Sequence, residues 1–290
     1  MMTRAWLILA DILVMLLLGG SLILLYLFPV QKNTPSEPSS LPSSIEQKIW
    51  FLPPATFTAI LTLEDIIRMG QEMQTQEWGI KNIFLTRTLE EGLELHTLQV
   101  GDPVLLRIFK QEAILEVWMR SDEAYKHVKD YAICAYSGGL GPKLAEGDGQ
   151  SPEGFYAIRK KQLNPNSKFH LAFNLGYPNK YDRAHERTGS SLMVHGNCIS
   201  IGCYAMTDEK IEEIYDLVES ALHQGQKKVW VHIFPFRMTE SNMAQYADNE
   251  WYDFWENLKE GYDYFEAEAL PPDIKVKNKR YIIGESKEMF

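Results

Sequence analysis

From Trp6 to Val30 the chain is apolar, with Asp11 as its only charge. About 20 such residues are enough to cross a bilayer as a helix. A cleaved signal needs an apolar region of only about 7–15 residues followed by a small-x-small site. Gly19, Gly20 and Ser21 interrupt the run here, but Leu22 to Phe28 resume it. Residues 1–30 are therefore expected to form an uncleaved signal-anchor, with a cleaved signal as the alternative. Arg4 precedes the run, so the N-terminus is expected in the cytoplasm and the remainder of the chain outside. Asp11, near the start of the segment, can reach the interface. Gln31 to Ser44 reads QKNTPSEPSSLPSS, a Pro/Ser-rich stretch without apolar periodicity, and is expected to be a linker over 31–44.

Beyond the linker the composition is that of a globular protein: 45% hydrophobic and 23% charged residues. The net charge of −10 disfavours non-specific binding to nucleic acid, and no nucleic-acid partner is expected. Residues 45–100 carry no motif, although Thr62-Leu63-Glu64-Asp65 reads as a helix start. Val104–Phe109 and Ile114–Trp118, around Lys110 to Ala113, read as a hairpin. Ala132–Tyr136, Phe169–Leu175, Ser191–Val194 and Val229–Phe234 read as strands. The stretch from Ser137 to Gly154 is dense in Gly and Pro and must be a loop. No Gly-Lys-Ser/Thr follows its glycines, so it is not a phosphate-binding P-loop. Thr207 is a good N-cap, Asp208 and Glu209 fit a first turn, and Ile211, Ile214, Tyr215, Val218 and Leu222 mark one helical face that Gly225 can end. Short strands, Gly-rich loops and one or two clear helices predict a mostly β or α+β fold. A catalytic domain is expected over 101–240, with a helical extension over 241–290 packed on it.

The chemistry-bearing stretch is Met193 to Met206, MVHGNCISIGCYAM. A strand delivers His195 and Gly196, and a short link leads to Ser200, Gly202 and Cys203. A thiol close to a helix N-terminus would favour its thiolate, and an adjacent imidazole can shuttle its proton. The backbone N–H groups of Gly202, Cys203 and Tyr204 would then face an oxyanion. On the residues alone, a buried structural thiol beside a strand histidine is the more ordinary reading.

His195-Gly196 followed by Ser200-x-Gly202-Cys203 resembles the catalytic signature of the L,D-transpeptidases, the YkuD-type domain. Ser151-Pro152-Glu153-Gly154-Phe155 is similar to that family's T/S-P-x-G-x-F element. Longer stretches around these motifs, from Ile133 to Ile158, Phe173 to Asp208 and Val231 to Met238, look like its YafK subgroup. The resemblance implies a β-sandwich domain, a helix after the nucleophile, no cofactor and no metal. It also implies action on peptidoglycan stem peptides in the periplasm, from an anchor in the inner membrane. Cys203 would attack the carbonyl at the L-centre of diaminopimelate, with His195 as base and Ser200, Gly202 and Gly196 shaping the site. The thioester would pass to an amine, giving a transferase, or to water. Two departures stand out: only seven residues separate His195 from Cys203, and Ala205 occupies the place of the family's usual Arg. Subgroup members resemble hydrolases that release a lipoprotein from diaminopimelate, so a peptidoglycan-linked lipoprotein is a second expected partner. A catalytically silent wall-binding module is the reading from another class, and the presence of both Cys203 and His195 argues against it.

Arg183 and Arg187 could clamp a substrate carboxylate or belong to a solvated loop; Arg237 is a weaker candidate, and Tyr204 is expected at the substrate beside Cys203. Cys198 is a lesser candidate for nucleophile, and its pairing with Cys134 stays open. A zinc site from His195, Cys198 and Cys203 can be drawn but lacks a usual finger spacing. His170, His185 and His232 have no ligand spacing. The aromatic tail from Trp251 to Trp255 suits core packing better than sugar stacking.

Overall fold

The computed structural model describes residues 87–120 and 123–287. The expected anchor at 6–30, the linker and the helix start at Thr62 lie outside the described residues. Among those described, no helix is long and apolar enough to cross a membrane.

Helix α1 (Leu89–Leu95) leads to the expected hairpin of β1 (Val104–Phe109) and β2 (Ile114–Met119), with Val104 facing Met119 and Phe109 facing Ile114. β3 (Lys126–Ala132) pairs antiparallel with β2, while β4 (Gly154–Ile158) pairs antiparallel with β9 (Val229–Phe234), which runs parallel to β1. The resulting sheet has the order β3-β2-β1-β9-β4. A second sheet has the order β5-β6-β7-β8, from β5 (Leu163–Ser167), β6 (His170–Asn174), β7 (Met193–His195) and β8 (Tyr204–Ala205). Helix α2 (Lys180–Ala184) lies between β6 and β7 in the chain, and α3 (Asp208–His223) follows β8. After β9 come α4 (Glu240–Gln245), α5 (Tyr252–Glu268) and a two-stranded ribbon of β10 (Asp273–Lys277) and β11 (Arg280–Gly284).

β1 is buried at every position, and its pleat explains why. Val104, Leu106 and Ile108 join Val229, Val231 and Ile233 of β9 in the main core, with Ile211, Ile214 and Val218 of α3. Phe173, Val194 and Tyr204 of the second sheet enter the same core. On the other face, Phe109 and Phe234 pack on Trp255, Leu258 and Tyr262 of α5. Two sheets thus share one core, as a sandwich would, but α3 is part of that core and α5 covers the outer face of the larger sheet. The architecture is mixed α+β. Trp255 is fully buried and meets Phe236 edge-on at 5.3 Å, which is core packing.

The strand reading of Ala132–Tyr136 needs correction. The segment after Ala132 does not extend β3. It leaves for the second sheet, where the Cys134 N–H donates to the Ala205 carbonyl at 2.8 Å and Ala135 bridges Ala205. β3 and β5 lacked a sequence signal because KHVKDYA and LNPNS are half-exposed and polar.

The Gly/Pro loop from Ser137 to Gly154 is held from beneath. Lys110 and Glu153 are fully buried and 3.1 Å apart. The Lys110 ammonium also donates to the carbonyls of Gly141 at 2.9 Å and Ser151 at 3.1 Å. Glu153 accepts from the Gly141 N–H at 2.7 Å and from the Trp255 indole at 2.8 Å. Burial lowers the pKa of Lys110, and the Glu153 carboxylate works against that shift. Removing one partner of such a pair strands the other without solvent. Glu153→Ala is therefore expected to lower unfolding stability by about 3–5 kcal/mol, measured as a shift of the urea midpoint at constant slope. A loss under about 1 kcal/mol, the level of an exposed ion pair, would contradict this account.

Candidate active site

The Cys203 loop is built from hydroxyl clasps. Ser200 Oγ donates to the Cys203 carbonyl at 2.6 Å and accepts from the Gly202 N–H at 3.1 Å. Ser151 Oγ donates to the same Cys203 carbonyl at 3.2 Å, and accepts from the Ser137 N–H at 3.1 Å. The Ser-Pro-Glu-Gly-Phe run of the sequence is thereby explained residue by residue. Ser151 holds the Cys203 backbone. The Pro152 carbonyl accepts from the Tyr204 hydroxyl at 2.8 Å, and Glu153 binds Lys110. Gly154 stands at φ +139°, where a Cβ would meet the Tyr281 hydroxyl at 2.7 Å. Phe155 meets the Tyr281 ring edge-on at 5.0 Å.

Gly202 has φ +149°, a conformation that disfavours any side chain, immediately before the half-buried Cys203 thiol. Gly196 has a different reason. A Cβ there would come within 2.5 Å of Asp208 Oδ1 and 3.0 Å of the Phe169 carbonyl, so only glycine lets the end of β7 rest on the start of α3. That contact fixes the imidazole. His195 Nδ1 sits 2.6 Å from the Gly196 carbonyl, which assigns the proton to Nδ1 and leaves the Nε2 lone pair for chemistry. The ring is buried against Phe169 at 4.6 Å.

β7 runs parallel to β8 with His195 opposite Ala205. Strand alternation then sends His195, Ala205 and Cys203 to one side of the pair. Cys203 Sγ lies 3.7 Å from the Ser191 carbonyl. Burial pushes the thiol above its ordinary range, partly offset by the Met193 backbone and the Lys143 ammonium. Burial likewise lowers His195, against the Gly196 carbonyl. The resting pair is a neutral thiol and a neutral imidazole. The expected help from a helix N-terminus is not realised, because β8 separates Cys203 from α3 and the Thr207 cap already serves the first turn.

Cys198 is bonded to Cys134, with their Cα atoms 5.2 Å apart, so it is neither nucleophile nor zinc ligand, and Cys203 is the one free thiol. Among the described residues the only metal-like grouping is Glu116, His127 and Asp130. Glu116 there is taken by Arg237 at 2.7 Å, Arg107 at 3.7 Å and the Trp118 indole at 2.8 Å, which leaves no carboxylate for a cation.

The arginines divide. Arg187 is buried, paired with Asp182 at 3.0 Å and laid over the Tyr181 and Phe254 rings, so it braces the fold and cannot clamp a substrate. Arg183 is exposed and donates to the Pro178 carbonyl. Arg237 is committed to Glu116. The Tyr204 side chain is fully buried, so only its backbone can face a substrate. His232 is buried with both ring nitrogens unbonded, and burial holds its pKa at about 3. Lys143 was not foreseen. It is buried, paired with Asp148, and donates to the Ala145 carbonyl at 2.8 Å. Within a glycine-rich loop nothing in the sequence marked this lysine as a cation whose field reaches the thiol.

Residues 108–233 match the family model described as the L,D-transpeptidase catalytic domain, YkuD. The Escherichia coli (strain K12) protein named "Putative L,D-transpeptidase YafK" is 50% identical over 186 residues, covering 64% of this chain and 76% of that one. The chain belongs to the L,D-transpeptidase family. Among solved structures, the helical cell shape determining protein Pgp2 of Campylobacter jejuni is 19% identical at a TM-score of 0.38, over 66% of this chain and 81% of that one. Its K307A mutant gives the same identity and TM-score over 61% of this chain and 63% of the other, less than two thirds of that structure's length. A likeness at that TM-score carries no argument. Family membership supports a transferase-type enzyme associated with peptidoglycan.

The neutral resting pair has a measurable consequence. With the disulfide intact, iodoacetamide can label only Cys203, and it reacts with the thiolate. Because burial disfavours the anion, the rate is expected to climb with pH to a midpoint above that of an unstructured cysteine peptide, about 8.5. A midpoint below the peptide's, followed by intact mass, would show a preformed thiolate instead.

Proposed function

We propose that this protein is a peptidoglycan-directed cysteine acyl-transfer enzyme with Cys203 as nucleophile and His195 as general base. The observation that carries the reading is the single free thiol sharing one side of the β7–β8 pair with an imidazole whose Nδ1 proton is fixed on Gly196. His195 Nε2 takes the thiol proton as Sγ attacks the carbonyl at the L-centre of diaminopimelate in a stem peptide. The Gly202 N–H is held by Ser200, so the Cys203 N–H is the backbone donor we assign to the oxyanion. Collapse expels the amine carried on that carbonyl, D-Ala or the amine of a linked peptide or lipoprotein, which takes the proton from His195, and leaves a thioester. An amine or water then attacks with His195 as base again, releasing a new amide or a free acid and restoring the thiol. Arg183 is the exposed cation we assign to a substrate carboxylate.

Hydrolysis is favoured over transfer by the loop itself. Asn197, Cys198, Ile199 and Ile201 are exposed, and Ala205, where the family carries Arg, is fully buried under Ala135. An acceptor amine that is poorly held competes badly with water at about 55 M, because proximity is its only advantage. The acceptor side of the reading is thus water, and the bond cut is one joining a peptide or lipoprotein to diaminopimelate. A disulfide fits an oxidising compartment, which supports a periplasmic catalytic domain; the apolar run at 6–30 is what we read as its inner-membrane anchor.

Cys203→Ser is expected to abolish turnover of defined muropeptides while leaving the unfolding midpoint within about 1 kcal/mol of wild type; near-normal turnover would refute the nucleophile assignment. In a competition between water and a millimolar amine acceptor on one donor muropeptide, mass spectrometry is expected to show mainly the hydrolysed product. A mixture dominated by the cross-linked dimer would restore the transferase reading.

A further inference from the structure

We propose that the Cys134–Cys198 disulfide is a positioning element for the nucleophile, so that the site works fully only while this bond is oxidised. The inference rests on the reading of Cys203 as nucleophile.

The arc from Cys198 to Cys203 is anchored at both ends to the same short segment. At its start the anchor is covalent, through Cys134. Just past its end, Ala205 exchanges hydrogen bonds with Ala135 at 2.8 and 3.1 Å, and its carbonyl also accepts from the Cys134 N–H at 2.8 Å. Residues 134–135 therefore fix where the arc begins and where it ends. Little else does. Ile199 is 62% and Ile201 is 87% exposed, so no apolar contact seats the arc on the core. Inside it the Ser200 clasp operates, and at its last residue the Ser151 hydroxyl holds the Cys203 carbonyl at 3.2 Å. The backbone also resists the path, since Asn197 at φ 68° and Cys198 at φ 46° are left-handed without being glycine. Such residues persist only where surrounding structure over-determines them, and the disulfide is the constraint at that point. The only other tie on those two residues is backbone: the Asn197 N–H on Asp208 at 2.8 Å and the Cys198 N–H on the Met206 carbonyl at 3.2 Å.

Both bonded cysteines are exposed, so a reductant can reach the bond. A dithiol would convert it to two thiols and itself become a disulfide, a balanced two-electron exchange. The main core contains neither cysteine and should survive. The arc would relax toward right-handed conformations and shift Cys203 from the side of the β7–β8 pair that it shares with His195.

The test uses full-length protein in detergent micelles. Folded Cys134→Ala/Cys198→Ala is expected to lose about 10- to 100-fold in kcat on muropeptides with KM changed by less than about 3-fold, the pattern of a displaced reacting group. The midpoint of Cys203 alkylation is expected to fall toward that of an unstructured thiol as the sulfur gains solvent. A folded variant with wild-type kcat and an unchanged alkylation profile overturns the proposal. Should the variant fail to fold, wild-type protein reduced by a phosphine and then desalted replaces it. The same loss, reversed by oxidised glutathione, is expected, whereas full activity with both thiols shown free by mass refutes the role. Wild-type protein that turns over no muropeptide would sink the functional reading alone, since the alkylation profiles still decide whether the disulfide positions Cys203.

Discussion

The Lys110 ammonium and the Glu153 carboxylate meet at 3.1 Å with no solvent on either, and the rest of the site hangs from that meeting. Lys110 closes the β1 end of the hairpin turn. Glu153 ends the glycine-rich loop and begins β4. Between them they gather the Gly141 backbone, the Ser151 carbonyl and the Trp255 indole of α5. A flexible eighteen-position loop, Ser137 to Gly154, is thereby fixed against both the sheet and the outer helix. Ser151 can then hold the carbonyl of Cys203, more than fifty positions later, with a hydroxyl. A salt bridge in this setting specifies geometry more than it adds stability, because desolvation offsets much of the attraction.

The electrostatics of the site follow from burial. A thiol pushed up and an imidazole pushed down disfavour a resting ion pair, so in the function proposed above the proton moves during the attack. The site compensates by fixing what burial leaves free: the imidazole tautomer through Gly196, the thiol's backbone through Ser200 and Ser151, and the loop's path through Gly202. Lys143 adds one cation that favours the thiolate, in a molecule where Ala205 cannot.

The sequence alone was enough to find the hairpin, the α3 helix with its Thr207 cap, β9, and the family motif around His195 and Cys203. These are local signals: apolar periodicity, caps, turn residues and a motif with fixed spacing. The two polar strands β3 and β5 were illegible because their faces are half-exposed, and the path of Cys134 to Tyr136 was misread because it crosses between sheets. Arg187 looked like a substrate clamp in YDRAHERTG, yet Asp182, five positions earlier, pairs with it in the interior. Charge type can be read from a sequence, but burial of that charge depends on what packs over it.

Composition and order of residues determined the family, the glycine at the tight turn and the single unpaired thiol's context. Only the tertiary structure decided which cysteines bond, which arginine remains exposed, that Lys143 approaches the thiol, and that the thiol rests neutral. Each of these depends on distances between segments far apart in the chain, and on the water excluded when they meet. Neither is encoded in local pattern, because both arise from the packing of the whole.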